Sequence, residues 1–342
     1  MALPRVLPPP AALALHCPPP FAWPAMLTYL GLRATPGVEA VRPDGGRYLR
    51  AVRLLGRTGH IAVRSSPDGR ALLVETSASL RPVVTRLTAR LRRLFDLDAD
   101  PAAVADHLTR DPRLAPLVAR RPGLRVPGAM DGFELALRAV LGQAVTVRGA
   151  STLAGRLAAL VGEPLPDPPP GLERLPVSAE RLAETRPEWL RDIGLTRGRA
   201  QCVLALARAA AAGELPELAG DTPVGDPTAF IRRFTQLPGI GPWTASYVAM
   251  RALGWGDAFP EGDLGLGKAM GGLSPARLRA ASERWRPWRA YAAQHLWASL
   301  ADSGRLARRG PLPDTPTAPP PSAACTSLRV EPSWCCPTPG TR

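Results

Sequence analysis

The sequence predicts an α+β protein, with a small antiparallel β-sheet domain at residues 20–100 and an all-α region of two lobes at residues 101–305. Short β-favouring runs separated by turn sequences are confined to the first region. Beyond it, apolar residues recur at helical spacing in many segments with short connectors. At 342 residues the chain is also longer than one hydrophobic core usually supports, which favours two or three domains.

In the first region, strands are predicted at residues 48–55, 60–65 and 71–76. The connecting sequences Gly56-Arg57-Thr58-Gly59 and Ser66-Pro67-Asp68-Gly69 have the composition of hairpin turns. Apolar residues at helical spacing follow at residues 80–95. We therefore expect a small sheet backed by helices.

In the second region, Asp131 and Glu134 match a capping box that opens a helix at residues 132–141. Further helices are predicted at residues 150–160, 179–185, 197–212, 227–236, 243–253, 275–285 and 288–301. The proline-rich residues 163–170 are expected to form a loop. Residues 1–19 are rich in proline, residues 306–342 are rich in Pro, Ser and Thr, and both segments are expected to be disordered tails.

The formal charge is +14, and only Lys268 among the 43 basic residues is a lysine. Such an excess of positive charge favours a polyanionic partner, to which it gives long-range attraction. Codon bias is an alternative explanation for the preference of arginine over lysine, but it does not explain the excess charge.

Five cysteines stand at positions 17, 202, 325, 335 and 336, without the even spacing of a secreted disulfide scaffold. No uninterrupted apolar run is long enough to span a bilayer. Prolines interrupt residues 1–20 repeatedly, which makes them a poor signal peptide. We expect a cytoplasmic protein.

The most informative segment is Leu237-Pro238-Gly239-Ile240-Gly241-Pro242-Trp243-Thr244-Ala245, which is typical of a helix end, a tight hairpin and a new helix. Gly239 and Gly241 are expected to adopt conformations that other residues avoid. Pro242 suits the first turn of a helix, where it has no N–H bond to lose. The N–H groups of the hairpin and the new helix then form an anion site suited to one DNA phosphate.

A second segment, Phe259-Pro260-Glu261-Gly262-Asp263, places a carboxylate one helix further along the chain. A phosphate site followed by a carboxylate at this separation indicates chemistry on DNA. Asp263 is also well placed to cap a helix that begins at Leu264, and both roles are compatible. Glu261 is the alternative carboxylate.

Together, the hairpin, the helix after it and the motif Phe-Pro-x-Gly-Asp-Leu-Gly-Leu resemble the helix-hairpin-helix (HhH-GPD) DNA glycosylases, and most closely the DNA-3-methyladenine glycosylase II group. The resemblance includes the segments at residues 121–128, 139–143, 284–289 and 295–297, and covers residues 20–301. It implies a glycosylase that flips out and hydrolytically excises alkylated bases, of the 3-methyladenine and 7-methylguanine class, in base-excision repair.

The resemblance places the catalytic aspartate at Asp263. A carboxylate there stabilises the positive charge that develops on the sugar and orients the attacking water. Trp243 stands where strand-cutting members carry a lysine, and tryptophan forms no Schiff base. Because Lys268 lies off that motif, the resemblance implies a monofunctional enzyme without lyase activity.

Trp243, Tyr247 and Trp297 fall on base-pocket positions, and the first two share one helix face. An indole face attracts a cationic alkylated purine by roughly 0.5–2 kcal/mol, so much of the selectivity has to come from the weak glycosidic bond and easy extrusion of such bases. Trp285 and Trp288 are interpreted as ordinary core residues.

The DNA-binding positions implied by the resemblance are Gly239, Gly241 and Thr244 at the phosphate, with Gln143 and Ala144 in the loop that fills the hole left by the flipped base. The group usually has a bulky leucine where this chain has Ala144, and alanine is too small to hold a base stack open. Gln143 or Val145 takes over this role, or extrusion is weaker.

The four-cysteine spacing of the superfamily's iron–sulfur members is absent, so we expect no cluster, and the four histidines lack metal-ligand spacing. The resemblance alone implies a monovalent cation at the backbone carbonyls of Thr235, Leu237 and Ile240. The expected partner is double-stranded DNA with damaged bases, bound by a monomer near the nucleoid. Two alternatives remain: a glycosylase for deaminated or oxidised bases, and a non-catalytic DNA-binding or regulatory protein.

Overall fold

In a computed structural model, which describes residues 11–219 and 225–302, the chain begins with a five-stranded antiparallel sheet and continues as helices. The predicted fold class is therefore confirmed. The strands are β1 (Ala11–His16), β2 (Glu39–Arg42), β3 (Arg47–Leu54), β4 (Arg57–Ser65) and β5 (Ala71–Thr76). Their order in the sheet is β1-β5-β4-β3-β2.

Strand β1 contradicts the prediction that residues 1–19 form a disordered tail. Its backbone pairs antiparallel with β5, with Leu13 opposite Val74, and Leu15 is buried in the core below the sheet. The flanking prolines concealed a strand whose pairing depends on backbone groups and a few apolar residues. Residues 1–10 and 303–342, which include the rest of both predicted tails, lie outside the described residues.

The turn between β3 and β4 is shorter than the sequence predicts. Only Leu55 and Gly56 form it, with φ values of 47° and 72°. Two consecutive positive φ values are typical of a two-residue hairpin whose twist matches that of the strands. Residues 57–59 therefore belong to β4, and the four-residue strand β2 is one the prediction missed.

Every predicted helix is present, with ends shifted by a few residues. The helices are α1 (Trp23–Arg33), α2 (Val84–Leu94), α3 (Pro101–Leu108), α4 (Ala115–Arg120), α5 (Gly132–Leu141), α6 (Val147–Val161), α7 (Ala179–Ala183), α8 (Pro187–Asp192), α9 (Arg197–Ala211), α10 (Pro227–Phe234), α11 (Pro242–Ala252), α12 (Leu264–Ala269), α13 (Pro275–Ser282) and α14 (Arg289–Asp302). Short 3₁₀ helices lie at Ala78–Val83, Pro216–Ala219 and Glu283–Trp285. Within the described part of the chain, no helix combines the length and apolar character needed to cross a membrane.

Helix α11 lies between the two helical lobes. It contributes Val248 to a core formed mainly with α5 and α9, and Met250 to a second core formed with α3, α4, α12 and α14. A third core lies under the sheet, against α1 and α2. Side chains on α11 therefore lie where the two lobes meet.

A buried ion pair joins the sheet to the helices. Arg50 on β3 donates to Glu39 at 2.9 Å and also bonds the carboxylate of Glu134 on α5. The predicted capping box is therefore half formed. Asp131 accepts the backbone N–H of Glu134 at 2.8 Å, but the Glu134 side chain turns to Arg50 and leaves the Asp131 N–H unbonded by it.

Candidate active site

The hairpin joins the end of α10 to the start of α11. Gly239 has φ +81°, and a Cβ atom there would lie 3.0 Å from Cβ and Sγ of Cys202 on α9, so glycine is required for both conformation and space. Gly241 differs from the prediction. Its φ of −92° suits any residue, and a Cβ would meet nothing within 4 Å.

The first turn of α11 presents free backbone N–H groups, because a helix start lacks intrahelical partners for them. Pro242 is at the first helical position, as the sequence predicts. Thr244 follows as a residue that is 2% exposed, and its Oγ1 accepts a hydrogen bond from Gln143 at 3.0 Å. This bond ties its side chain to the neighbouring loop, and its backbone N–H, in the first turn of the helix, has no intrahelical acceptor.

Gln143 connects the loop between α5 and α6 to the hairpin. Its Nε2 donates to the Gly239 carbonyl and to Thr244 Oγ1, each at 3.0 Å, and Arg199 donates to its carbonyl oxygen. This bonding leaves Ala144 and Val145 exposed at the loop tip, with Val145 39% exposed. Ala144 has φ +54°, which is uncommon for a residue with a side chain.

Asp263 immediately precedes α12, and three N–H donors hold its carboxylate. Oδ1 accepts from the Leu266 backbone at 2.8 Å and from the indole Nε1 of Trp297 at 3.0 Å. Oδ2 accepts from the indole Nε1 of Trp243 at 3.0 Å. The first bond makes Asp263 the N-cap of α12, as the sequence analysis allows.

Asp263 and Glu261 differ in whether an ion pair among the described residues neutralises their charge. Both carboxylate oxygens of Glu261 bond the guanidinium of Arg279 on α13. Within residues 11–219 and 225–302, no arginine or lysine forms an ion pair with the half-buried Asp263. Its negative charge is therefore available to a ligand.

The predicted aromatic residues converge on this carboxylate. Trp243 and Tyr247 stack with ring centroids 5.5 Å apart and an interplanar angle of 8°. Trp297 meets the ring of Tyr247 edge-on at 6.2 Å. Trp285 is instead buried away from them, where its Nε1 donates to Asp111 at 2.8 Å, which agrees with its interpretation as a core residue.

Below Tyr247 lies a polar cluster that the sequence analysis missed. Arg251 Nη1 donates to the hydroxyls of Tyr247 and Tyr29 at 2.6 Å each, and these hydroxyls are 3.1 Å apart. Burial raises the pKa of Tyr29 to about 12. Burial also raises the pKa of Tyr247, but Arg251 and Arg33 outweigh it, so that this pKa is lowered overall. No local pattern reveals the cluster, because 218 residues separate the two tyrosines.

Helix α12 carries two further exposed residues, Leu264 next to the carboxylate and Lys268 in the last turn. Leu264 directly follows Asp263 and is 79% exposed, the most exposed of the large hydrophobic side chains described. Lys268 is exposed in the last turn of the six-residue helix, whereas Asp263 caps its first turn. The lysine is therefore at the far end of α12 from the carboxylate.

Among the described residues, no group of three or more His, Cys, Asp or Glu side chains could hold a metal ion. The carbonyl of Leu237 accepts the N–H of Ile240 at 3.1 Å, as expected of a tight turn. For Thr235 and Ile240, no described N–H outside the helices bonds the carbonyl oxygen. Cys17 and Cys202 are buried free thiols.

Comparison with known proteins gives consistent matches over most of the chain. The family model of the AlkA N-terminal domain matches residues 12–131. The domain boundary placed at residue 100 by the sequence stays a prediction. The chain is 38% identical to DNA-3-methyladenine glycosylase 2 of Escherichia coli, over 83% of this chain and 95% of that protein. It is 42% identical to the probable bifunctional transcriptional activator/DNA repair enzyme AlkA of Mycobacterium tuberculosis, over 84% of this chain, but spans only 57% of that protein.

Solved structures show the same fold. A 3-methyladenine DNA-glycosylase from Archaeoglobus fulgidus superposes with a TM-score of 0.71 at 24% identity, covering 85% of this chain and 98% of that one. A Clostridium acetobutylicum 8-oxoguanine glycosylase/lyase in complex with double-stranded DNA gives a TM-score of 0.63 at 18% identity, covering 79% and 90%.

Proposed function

Because the chain belongs to the DNA-3-methyladenine glycosylase 2 family, we propose that it is a monofunctional DNA glycosylase that excises alkylated bases in base-excision repair. Its substrates are bases of the 3-methyladenine and 7-methylguanine class, which it removes hydrolytically from double-stranded DNA as a cytoplasmic, nucleoid-associated monomer. The observation that carries this proposal is the Asp263 carboxylate, which Trp243 and Trp297 hold and which has no counter-ion in the part of the chain that the structure describes.

The reaction requires a negative charge near the sugar. As the damaged base leaves, positive charge develops on the sugar, and a preorganised carboxylate stabilises it without having to reorganise. Asp263 supplies that charge, since hydrogen bonds fix its orientation while no cation neutralises it. The same carboxylate accepts a proton from the attacking water.

Water is the nucleophile because none of the described residues places an amine at the carboxylate. Trp243 occupies the hairpin position where a Schiff-base lysine would stand, and Lys268 is at the other end of α12. Strand cleavage is therefore expected only after the abasic product is treated with heat or alkali. Borohydride trapping of a covalent protein–DNA adduct would contradict this part of the proposal.

The flipped base stacks among Trp243, Tyr247 and Trp297. The indole faces attract a cationic base by roughly 0.5–2 kcal/mol, which favours alkylated purines over normal ones but does not exclude neutral bases. Leu264 adds an exposed apolar surface beside the carboxylate.

The hairpin holds the DNA backbone. The free N–H groups of Trp243 and Thr244 at the start of α11 bind one phosphate, the positive φ of Gly239 allows the turn before them, and the space beside Gly241 is open. In the same turn, the carbonyl oxygens of Thr235, Leu237 and Ile240 would hold a monovalent cation, which would stabilise the turn. Gln143 ties the neighbouring loop to the hairpin, so Val145 beside Ala144 is the larger apolar side chain free to enter the duplex.

The test is release of free base from methylated DNA by the purified protein, with chromatography of the products. 3-Methyladenine and 7-methylguanine should appear under single-turnover conditions, together with intact strands that alkali then cleaves. A panel that includes hypoxanthine and 8-oxoguanine separates the alternative lesion classes. Tight DNA binding without release of any base would overturn the proposal.

A further inference from the structure

We propose that the indole N–H groups of Trp243 and Trp297 are positioning groups that fix the Asp263 carboxylate and leave its Oδ2 as the oxygen that faces the reaction. This inference rests on the proposed function. It gives the two tryptophans a second task, which is independent of the charge of the excised base.

The count of hydrogen bonds distinguishes the two oxygens. An ionised carboxylate has about four lone-pair positions, two on each oxygen. Oδ1 uses both, for the Leu266 N–H at 2.8 Å and the Trp297 indole at 3.0 Å. Oδ2 uses one, for the Trp243 indole at 3.0 Å. The remaining lone pair on Oδ2 is the one left for water or the sugar.

The donors come from three separate elements, which prevents the carboxylate from turning. The helix cap from Leu266 fixes only Oδ1, and a capping aspartate held in this way alone can still rotate about its terminal bond. Trp243 on α11 and Trp297 on α14 approach from two other elements, 20 and 34 residues away in sequence. Their bonds define the carboxylate plane.

Gly265 provides the space for this arrangement. A Cβ atom at this position would lie 2.9 Å from Asp263 Oδ1 and 3.4 Å from Cδ1 of the Trp297 indole. Any side chain here would therefore push the indole and the carboxylate apart. The φ of Gly265 is not positive, so its backbone conformation does not require glycine. Glycine is needed here because a side chain would not fit beside Asp263 and Trp297.

Trp243→Phe and Trp297→Phe test the inference, because each keeps an aromatic face and loses the N–H donor. We expect each variant to excise 7-methylguanine and hypoxanthine about 10- to 100-fold more slowly, by the same factor for the charged and the neutral base.

Trp285→Phe is the matched control, since it removes a similar indole-to-aspartate bond, to Asp111, outside the site. This variant should keep the rate of base release of the folded protein. Gly265→Ala retains both tryptophans but separates Trp297 from Asp263, so it should slow excision in the same uniform way.

The chemical shifts of the indole N–H groups report these hydrogen bonds without any need for catalysis. In ¹H–¹⁵N spectra, Asp263→Asn should move the indole resonances of Trp243 and Trp297 and leave that of Trp285 unchanged. Unmoved resonances, or phenylalanine variants with wild-type rates on both bases, would overturn the inference while the proposed function stands. Wild-type protein that releases no base would overturn the proposed function, and this inference with it.

Discussion

Asp263 and Arg251 are both charged, and uncharged hydrogen-bonding groups of opposite kinds surround them. The Asp263 carboxylate accepts only N–H groups, and the Arg251 guanidinium donates only to hydroxyl and carbonyl oxygens. Neither group has a counter-ion among the described residues. Hydrogen-bonding dipoles therefore compensate both charges, which is the condition for keeping a charge out of water.

The two groups differ in their access to a ligand. Arg251 is 5% exposed and bonds Tyr29 on α1, Tyr247 on α11 and the carbonyls of Pro127 and Gly128. It joins the sheet domain, the connecting segment and the hairpin helix. Asp263 is only half-buried, beside aromatic faces. The comparison indicates that the enclosed charge organises structure, whereas the accessible one is kept for chemistry.

The largest expected effect is on catalysis. Asp263→Asn keeps the shape and the helix cap but removes the charge, so base release should fall by at least ~10²-fold while thermal stability changes little. Glu261→Gln is the control, because this neighbouring carboxylate is already neutralised by Arg279. Single-turnover rates and melting curves measure the two quantities. A near wild-type rate for Asp263→Asn would remove the distinction drawn between the two charges.

The second effect is on stability. Arg251→Met leaves two tyrosine hydroxyls and two carbonyls without their donor, and should lower the free energy of unfolding by about 3 kcal/mol. Arg279→Met, which removes an exposed guanidinium screened by solvent, should leave the free energy of unfolding almost unchanged. Denaturant unfolding measures both. Equal changes in the free energy of unfolding for the two variants would show that Arg251 does not stabilise the contact between the sheet domain and the helices.

His295 on α14 is a buried group that, unlike Arg251, can lose its proton and become neutral. Burial, with Arg121 nearby, lowers its pKa from 6.5 to about 4, and its Nδ1 has no partner. The imidazole of His295 binds a proton more tightly in the unfolded chain than in the folded one. As the pH falls from 6.5 to 4, His295 should therefore lower the free energy of unfolding by roughly 3 kcal/mol.

The difference in unfolding free energy between wild type and His295→Gln isolates this contribution. Asp96 and Glu134 titrate in overlapping ranges with the opposite sign, since burial raises their pKa values to about 6 and about 7. If the difference in unfolding free energy between wild type and His295→Gln did not change with pH, His295 would not cause the loss of stability at low pH.

The smallest expected effect is on selectivity. Trp243→Ala removes both the indole face and a donor to Asp263, so it should slow excision of every base and impose a further twofold to thirtyfold loss on cationic ones. Trp243→Phe separates the two contributions, since it keeps an aromatic ring. Rates on 7-methylguanine and hypoxanthine provide the comparison. Equal losses on both bases in Trp243→Ala would show that the indole positions the carboxylate and does not select by charge.

The sequence by itself determined the fold class, the helix succession and the local geometry of the two motifs. Pro242 and Gly239 specify the hairpin through their backbone preferences, and Asp263 caps α12 through a bond that spans three residues. These features depend on neighbouring residues, so a linear pattern reveals them. The same reasoning failed at Gly241 and at β1, where conformation and pairing are set by more distant contacts.

Only the tertiary structure decided which charges are neutralised. Glu261 and Asp263 are two residues apart and look alike in sequence, yet one bonds Arg279 and the other bonds two indoles. Tyr29 and Arg251, 222 residues apart, meet for the same reason. Solvation and hydrogen bonding of a charge depend on whichever groups folding brings within about 3 Å of it, and nothing in the local sequence encodes that distance.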